Sequence, residues 1–252
     1  MTGGSLSGAV VPHAPVLLPD VSGTGTAAET LELQEALRSL VFDAADVVVV
    51  LSPHGSDCGV YASVAGTLDD FGIPGIDLQR PTDRSAVAAL AGYWGKPILG
   101  DPIDHGVLVP LMLLSTDTTP VLAASLPEIA PEAVSDARET VESGISFARA
   151  LVEFAGTRAV TLLASAHTSS ALTPRAPLTE RAEAKPVEAG ILSALGDDPS
   201  TLGSLVHDAW RLGGSCSPGS LAAYARAFGG RKSEVLAYES PFGVGYVVAR
   251  TM

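Results

Sequence analysis

Cysteine, lysine and aromatic side chains are all scarce in this sequence, and each shortage excludes something. Two cysteines in 252 residues, Cys58 and Cys216, lie far apart and form no CxxC pair. A disulfide framework is not indicated, and a reducing cytoplasm is the expected compartment. Aromatics make up 5% of the chain against 46% apolar residues overall, so a core has to be built from Ala, Val and Leu. No uninterrupted apolar run reaches the ~18 residues of a membrane span. The opening segment, MTGGSLSGAVVPHAPVLL, has no basic start and is broken by Pro12, His13 and Pro15, which argues against a signal peptide. Basic residues number 15 against 28 acidic ones, and only three of the 15 are Lys. That Arg bias is associated with GC-rich bacterial genomes. The formal net charge of −13 disfavours nucleic acid and anionic membrane surfaces as partners. With charged residues at only 17%, disorder is not expected either.

The pattern that remains is an alternation of strands and helices. Apolar runs at 8–12, 46–51, 58–66, 120–126 and 159–164 read as strands, and Asp46-Val-Val-Val-Val-Leu51 has the continuous β-branched character of a central parallel strand. Residues 27–41, 83–93, 131–155 and 178–194 have helical spacing. The stretch 105–114, which contains Pro110, is open between a buried helix and a strand. The region 199–228 is helix-rich, broken at Gly213-Gly214 and at Pro218-Gly219. Two closing strands, 233–238 and 243–249, are near enough to pair as an antiparallel hairpin. The expectation is one α/β domain over residues 1–252, three layers deep (α/β/α), with a mostly parallel central sheet and a C-terminal antiparallel hairpin.

In such sheets ligands collect at the carboxyl ends of the strands. Three of the five histidines, His13, His54 and His167, fall just after predicted strands. Two of them sit in alike Pro-His pairs, Val-Pro-His-Ala-Pro and Ser-Pro-His-Gly. Proline stiffens the backbone there and gives a firm mount for an imidazole ligand. Two imidazoles and one carboxylate make the facial triad of non-haem iron oxygenases. Glu239, which ends a strand among apolar residues and precedes a turn, is the candidate carboxylate. Other signals are weaker. Gly23-Thr-Gly25 starts too far past its strand to be a dinucleotide loop. No Gly-x-Ser-x-Gly elbow is present. Cys216, in Gly-Ser-Cys-Ser-Pro, has the look of a nucleophile, and His207 reads as a surface or packing residue.

Several segments together resemble the class III extradiol dioxygenase subunit-B superfamily, which includes the Memo-like proteins. They are VVPHAPVLLPDV near the start, VLSPHG at 50–55, DHGVLVPLMLL at 104–114, LLASAHTSSAL at 162–172, GSCSPGSLAAYARAF at 214–228 and YESPFGVGYVVA at 238–249. The resemblance implies that His13, His54 and Glu239 hold a divalent metal, expected to be Fe(II) with Zn or Mn as alternatives. It also implies that His105, in Asp104-His105-Gly106, lies near a small aromatic substrate and O₂, and that Cys216 is a packed residue near a helix start. One departure stands out. The position where the family carries its acid/base histidine is Ser170 here, and His167 stands three residues earlier. If that segment begins a helix, His167 reaches the same cavity from the previous turn and takes over the acid/base role, or becomes a fourth ligand better suited to zinc. The leading functional expectation is a metal-dependent ring-cleavage dioxygenase acting on a catechol-type aromatic. The alternative is a Memo-like metal-binding protein with a binding or regulatory role and no dioxygenase activity. The relatives make a homodimer plausible.

Overall fold

The β-branched run at 46–51 forms the middle of the sheet, as its composition requires. The computed structural model describes residues 4–21, 28–42, 44–100, 102–114, 119–129 and 134–252. In chain order the main elements are β1 (Ser5–Val11), α1 (Leu31–Arg38), β2 (Val47–Gly55), β3 (Gly59–Tyr61), β4 (Val64–Thr67), β5 (Asp77–Arg80), α2 (Arg84–Trp94), β6 (Ile98–Leu99) and α3 (His105–Leu113). They continue with β7 (Val121–Pro127), α4 (Val134–Phe154), β8 (Ala159–Ser165), α5 (Ala184–Asp197), α6 (Pro199–Arg211), α7 (Pro218–Phe228), β9 (Ser233–Glu239) and β10 (Tyr246–Thr251). The Gly23-Thr-Gly25 loop lies outside the described residues.

Eight strands form the main sheet in the order β6-β3-β7-β2-β8-β1-β10-β9. The four central ones, β7, β2, β8 and β1, are parallel. β10 runs antiparallel to β1, and β9 antiparallel to β10. The expected sheet and closing hairpin are both present.

Strand alternation sorts the core into two layers. Val47, Val49 and Leu51 of β2 face one layer with α2, α4 and α7, while Val48 and Val50 face the other with α1 and α3. Residues buried on both faces explain why β2 reads as an unbroken apolar run.

Some boundaries differ from expectation. The strand expected at 58–66 is split: β3 joins the main sheet and β4 pairs with β5 in a separate two-stranded one. The helix expected from 178 starts at Ala184. The ambiguous stretch at 105–114 is a helix, α3, capped by Asp104, whose carboxylate accepts the Gly106 N–H. Pro218-Gly219 opens α7 instead of breaking a helix, as proline can at a first turn.

Close backbone approach fixes where α7 begins. A Cβ on Gly144 of α4 would collide with the Gly219 carbonyl, and one on Gly8 of β1 would collide with the Phe228 ring. These glycines let α7 lie tight against α4 and the sheet, which determines where the turn preceding it falls.

Candidate metal centre

β2, β8 and β1 are neighbours in the sheet, and their carboxyl ends carry His54, His167 and His13. His105 joins them from the first turn of α3. Four of the five histidines thus converge, while His207 is exposed on α6. The fifth member of the cluster is Cys216, in the turn before α7. His13, His54 and Cys216 each offer one donor atom, all within 4.8 Å of one another, and together they can hold a metal ion. His13 Nε2 lies 3.0 Å from His54 Nε2 and 3.5 Å from Cys216 Sγ.

Hydrogen bonds on the far sides of the rings decide which nitrogens carry protons. Pro110 lacks the N–H that would bond the Gly106 carbonyl four residues back in α3. That carbonyl instead accepts the Ser165 hydroxyl, at 2.7 Å. Having spent its only proton there, Ser165 Oγ can only accept from His13 Nδ1, at 2.9 Å. His54 Nδ1 faces the Glu128 carboxylate at 3.3 Å, which also requires a proton on nitrogen. Both Nε2 atoms therefore point lone pairs at one another, and the arrangement calls for a positive charge between them, either a proton or a metal ion. Such outer partners are what orient metal-binding imidazoles.

The electrostatics agree with this reading. Burial, then the neighbouring His167, holds His13 well below the usual imidazole pKa. Burial works against charging His54, but the Cys216 thiol and the Glu128 carboxylate push it up to about 10. Burial would also raise the Cys216 pKa, yet the facing imidazoles, His13 before His167, outweigh it when a proton sits between the two Nε2 atoms, and hold the thiol well below its ordinary range. A thiolate just ahead of a helix N-terminus is further favoured by the helix dipole.

The donor set can be tested against known coordination lengths. Ligands at the usual Zn–N and Zn–S bond lengths stand roughly 3.4–3.6 Å apart around a tetrahedral ion. Two of the three separations, 3.0 and 3.5 Å, are close to that, and all three donors lie within 4.8 Å of one another. Two imidazoles and a thiolate, without an oxygen donor, suit zinc, copper or iron and not magnesium or calcium.

Glu239 is not part of this group, which corrects the expected ligand set. The strand order gives the reason: β10 lies between β1 and β9, and β8 and β1 add further steps to β2. At about 4.8 Å per strand, the end of β9 stands roughly 10 Å from that of β1 and 19 Å from that of β2. Tyr246, directly across from Glu239, meets the His167 ring edge-on at 5.1 Å. Glu239 lies instead around an open depression with Glu29 and Arg175. The third donor is Cys216, which the resemblance suggested only as a packed residue. Its signal was the Gly-Ser-Cys-Ser-Pro turn ahead of an apolar helix.

His167 is in the cluster, but in neither expected role. The segment 166–183 is not helical, so the argument from a shared helix face with Ser170 fails. His167 Nε2 accepts the backbone N–H of His13 at 3.3 Å, which uses the lone pair a base would need. Its Nδ1 then carries the proton and faces Cys216 Sγ at 3.9 Å. Its ring stacks on that of His13, with centroids 3.8 Å apart. This histidine supports the thiolate and packs the ligand ring. His105 does lie beside the centre, 4.2 Å from the His54 ring and 4.8 Å from Phe71. Burial, then the charge on His54, lowers its pKa. Asp104 anchors this corner by accepting from Ser52 Oγ at 2.5 Å and Tyr61 Oη at 3.1 Å.

No family model matches the chain. Protein CA_C1420 of Clostridium acetobutylicum is 23% identical over 269 aligned residues, covering 96% of this chain and 56% of that protein. The chain thus spans about half the length of the curated relative it matches. Among solved structures, the Escherichia coli K12 protein JW3007 superposes with a TM-score of 0.61 at 17% identity, over 98% of this chain and 99% of that one. At that identity the likeness is one of fold. Among the described residues no helix is long and apolar enough to cross a membrane.

Proposed function

We propose that this protein binds a soft first-row divalent metal through His13, His54 and Cys216, and that it is a Memo-like metal-binding relative of the extradiol superfamily with no ring-cleavage activity of its own. One observation carries the reading: two imidazole Nε2 lone pairs, each fixed by a proton held on the opposite nitrogen, meet beside the Cys216 thiol. Zinc, copper or iron fits these donors, and manganese, which prefers oxygen, fits them least. When bound, such an ion supplies Lewis acidity at a site where three protein donors leave coordination positions open. Ring cleavage is disfavoured because Ser170 has no imidazole to offer and the His167 lone pair is taken by the His13 backbone.

A second reading, an iron-dependent dioxygenase acting on a catechol-type aromatic with O₂, is favoured by one feature. His105 stands against His54, and among the described residues no group hydrogen-bonds its ring nitrogens, so it is free to exchange a proton with a bound molecule. The two readings part in one experiment. Protein purified anaerobically and loaded with Fe(II) or Zn(II) is assayed for metal content, then for oxygen uptake with a catechol panel. The proposal expects close to one metal per chain and no catechol-dependent uptake. Uptake that disappears in His105→Ala would establish the second reading, and failure to retain either metal would remove both.

A further inference from the structure

Behind the metal centre, a set of hydroxyl groups ties the Cys216 turn to the segment that carries His167. Ser215 Oγ donates to the His167 carbonyl at 2.5 Å, and the His167 N–H donates to Ser217 Oγ at 3.1 Å. Ser169 Oγ and the Ser170 N–H both donate to the Gly213 carbonyl, at 2.6 and 2.9 Å. Residues 167–170 therefore clamp the turn on both sides of Cys216. The same segment is fastened along its other side to the approach to β10. The Thr168 N–H meets the Gly245 carbonyl at 3.0 Å, and the Gly245 N–H returns to the Ser169 carbonyl at 2.9 Å. A side chain on Gly245 would collide with both Thr168 Oγ1 and Glu188 Oε1. Glu188 of α5 is thus packed directly against the back of the clamp.

Glu188 does not fit there as a charged group. It is 4% exposed, and its Oε2 has no hydrogen-bond partner among the described residues. Its Oε1 lies 2.5 Å from Thr168 Oγ1, which also stands 3.0 Å from the Gly245 carbonyl. A neutral carboxyl satisfies all three groups, because its O–H donates to Thr168 and the Thr168 proton goes to Gly245. An ionised carboxylate draws that proton away from Gly245 and leaves charge on a buried oxygen with no donor. Among the described residues no cation relieves it. α6 meets α5 through Leu205 against Gly190, and the approach to β10 offers only Gly245. On β9 the titratable group is Tyr238, whose phenol burial and then the Glu188 charge keep protonated. Lys185, on the same helix, is paired with Glu180 at 3.6 Å. Burial, against the hydrogen bonds of Thr168 and Tyr238, pushes the carboxyl up to about 7.

We propose that Glu188 is a positioning residue and a pH-operated latch on the Cys216 turn: its neutral form closes the clamp at Thr168, and its ionised form loosens residues 167–170 and with them the third donor of the metal centre. This rests on the metal-centre reading only for what happens at the cation, since the latch is measurable without metal. Opening returns the carboxyl to water and to its ordinary 4.5. The closed form is therefore favoured fully below that pH, loses ground as pH rises, and has lost the whole advantage above about 7.

The test compares the wild type with Glu188→Gln, which keeps the shape and a donor and cannot ionise. Amide hydrogen exchange is followed in reduced, metal-free protein at pH 5.5 and 7.5, in peptides covering 166–172 and 213–217. Taking the ratio of wild-type to variant rates cancels the intrinsic pH dependence of exchange. In those peptides the ratio should rise about tenfold between the two pH values. It should stay flat in β4 and β5, which lie beside the opposite, β3–β6 edge of the sheet. Thr168→Ser should keep the rise, and Thr168→Val, which cuts the connection, should remove it. Zinc-loaded protein gives the consequence at the centre. The rate of zinc capture by a chelator, wild type over Glu188→Gln, should rise by a similar factor over the same interval, the titration of the ligands being common to both proteins. A ratio indifferent to pH, or a rise as large in β4 and β5, would overturn the proposal. If zinc is not retained but exchange behaves as expected, only the metal reading falls. If zinc is retained and its release has the same pH dependence in both proteins, only this one does.

Discussion

The turn before α7 and the end of β9 present two candidate third donors, Cys216 and Glu239, and the fold treats them oppositely. Both sit at element ends, and both follow or precede apolar runs. Yet Cys216 Sγ is 3.5 Å from His13 Nε2, whereas Glu239 is two strand positions out and faces the acidic side of α1. The difference teaches that local context nominates a ligand and sheet order decides it. The sharpest way to break this comparison is to remove each donor in turn. Cys216→Ala should weaken zinc affinity on the order of several hundredfold, since structural zinc sites of about four ligands bind with roughly 10–16 kcal/mol. Glu239→Ala should change it less than twofold. Competitive chelator titration reads both, and cobalt substitution adds a check, because the sulfur-to-metal charge-transfer band should vanish only in the cysteine variant. Reversal of the two results would reinstate the carboxylate.

A second acid sharpens the contrast. Tyr238 and Glu239 are consecutive on β9 and face opposite sides. Tyr238 meets Glu188 of α5, and Glu188 is buried where Glu239 is not. Thr168 Oγ1 lies within bonding distance of both Glu188 Oε1 and the Gly245 carbonyl, at 2.5 and 3.0 Å. One hydroxyl proton cannot serve two acceptors, so a protonated Glu188 fits the site. Burial, against the opposing hydrogen bonds, pushes its pKa up to about 7. The folded pKa exceeds the ordinary 4.5 of the unfolded chain, so the stabilisation is complete below about pH 4.5, declines as pH rises and is gone above about 7. Relative to Glu188→Gln, the wild type should lose ~3 kcal/mol of unfolding free energy between those limits. Denaturant melts of both proteins at pH 4.5 and pH 8 measure it, and a difference that does not vary with pH would mean that folding does not raise the Glu188 pKa.

Next in size are the groups that orient the ligands without touching the cation. Ser165→Ala removes the acceptor for the His13 Nδ1 proton and should weaken zinc affinity about 10- to 100-fold, the usual cost of losing such a partner. Glu128→Gln should cost less, because Glu128 is 67% exposed and its contact with His54 is screened by water. Equal losses in the two variants would mean that burial does not rank these partners.

Much of this was legible in the sequence, for reasons that also explain what was not. Val47–Val50 shows its position because a central parallel strand is apolar on both faces, and the Pro-His pairs mark strand ends through local stiffness. The His13–His54 meeting follows once β1, β8 and β2 are adjacent. Cys216 was missed because its place depends on α7 packing through Gly144 and Gly219 against α4, a contact between residues far apart in the chain. Glu239 misled because the insertion of β10 between β1 and β9 leaves no local trace. His167 misled because the proton state of its ring is set by a backbone N–H 154 residues away.

The smallest effect lies on the outer side of β9. Burial, then the nearby charges of Glu32 and Glu29, raises the Glu239 pKa, and Arg175, which lines the same depression, is already paired with Glu29 at 3.8 Å. Above its folded pKa, Glu239 therefore carries a repulsion that the unfolded chain does not. Replacing it with Gln should stabilise the protein at pH 8 and not at pH 4, where the carboxyl is largely neutral. Because the group is well solvated, the gain should be no more than about 0.5 kcal/mol. It should also shrink as salt screens the acidic cluster. A gain of the same size at both pH values would assign the effect to packing, and Glu239 would then be closer to the interior of the hairpin than its neighbours on α1 imply.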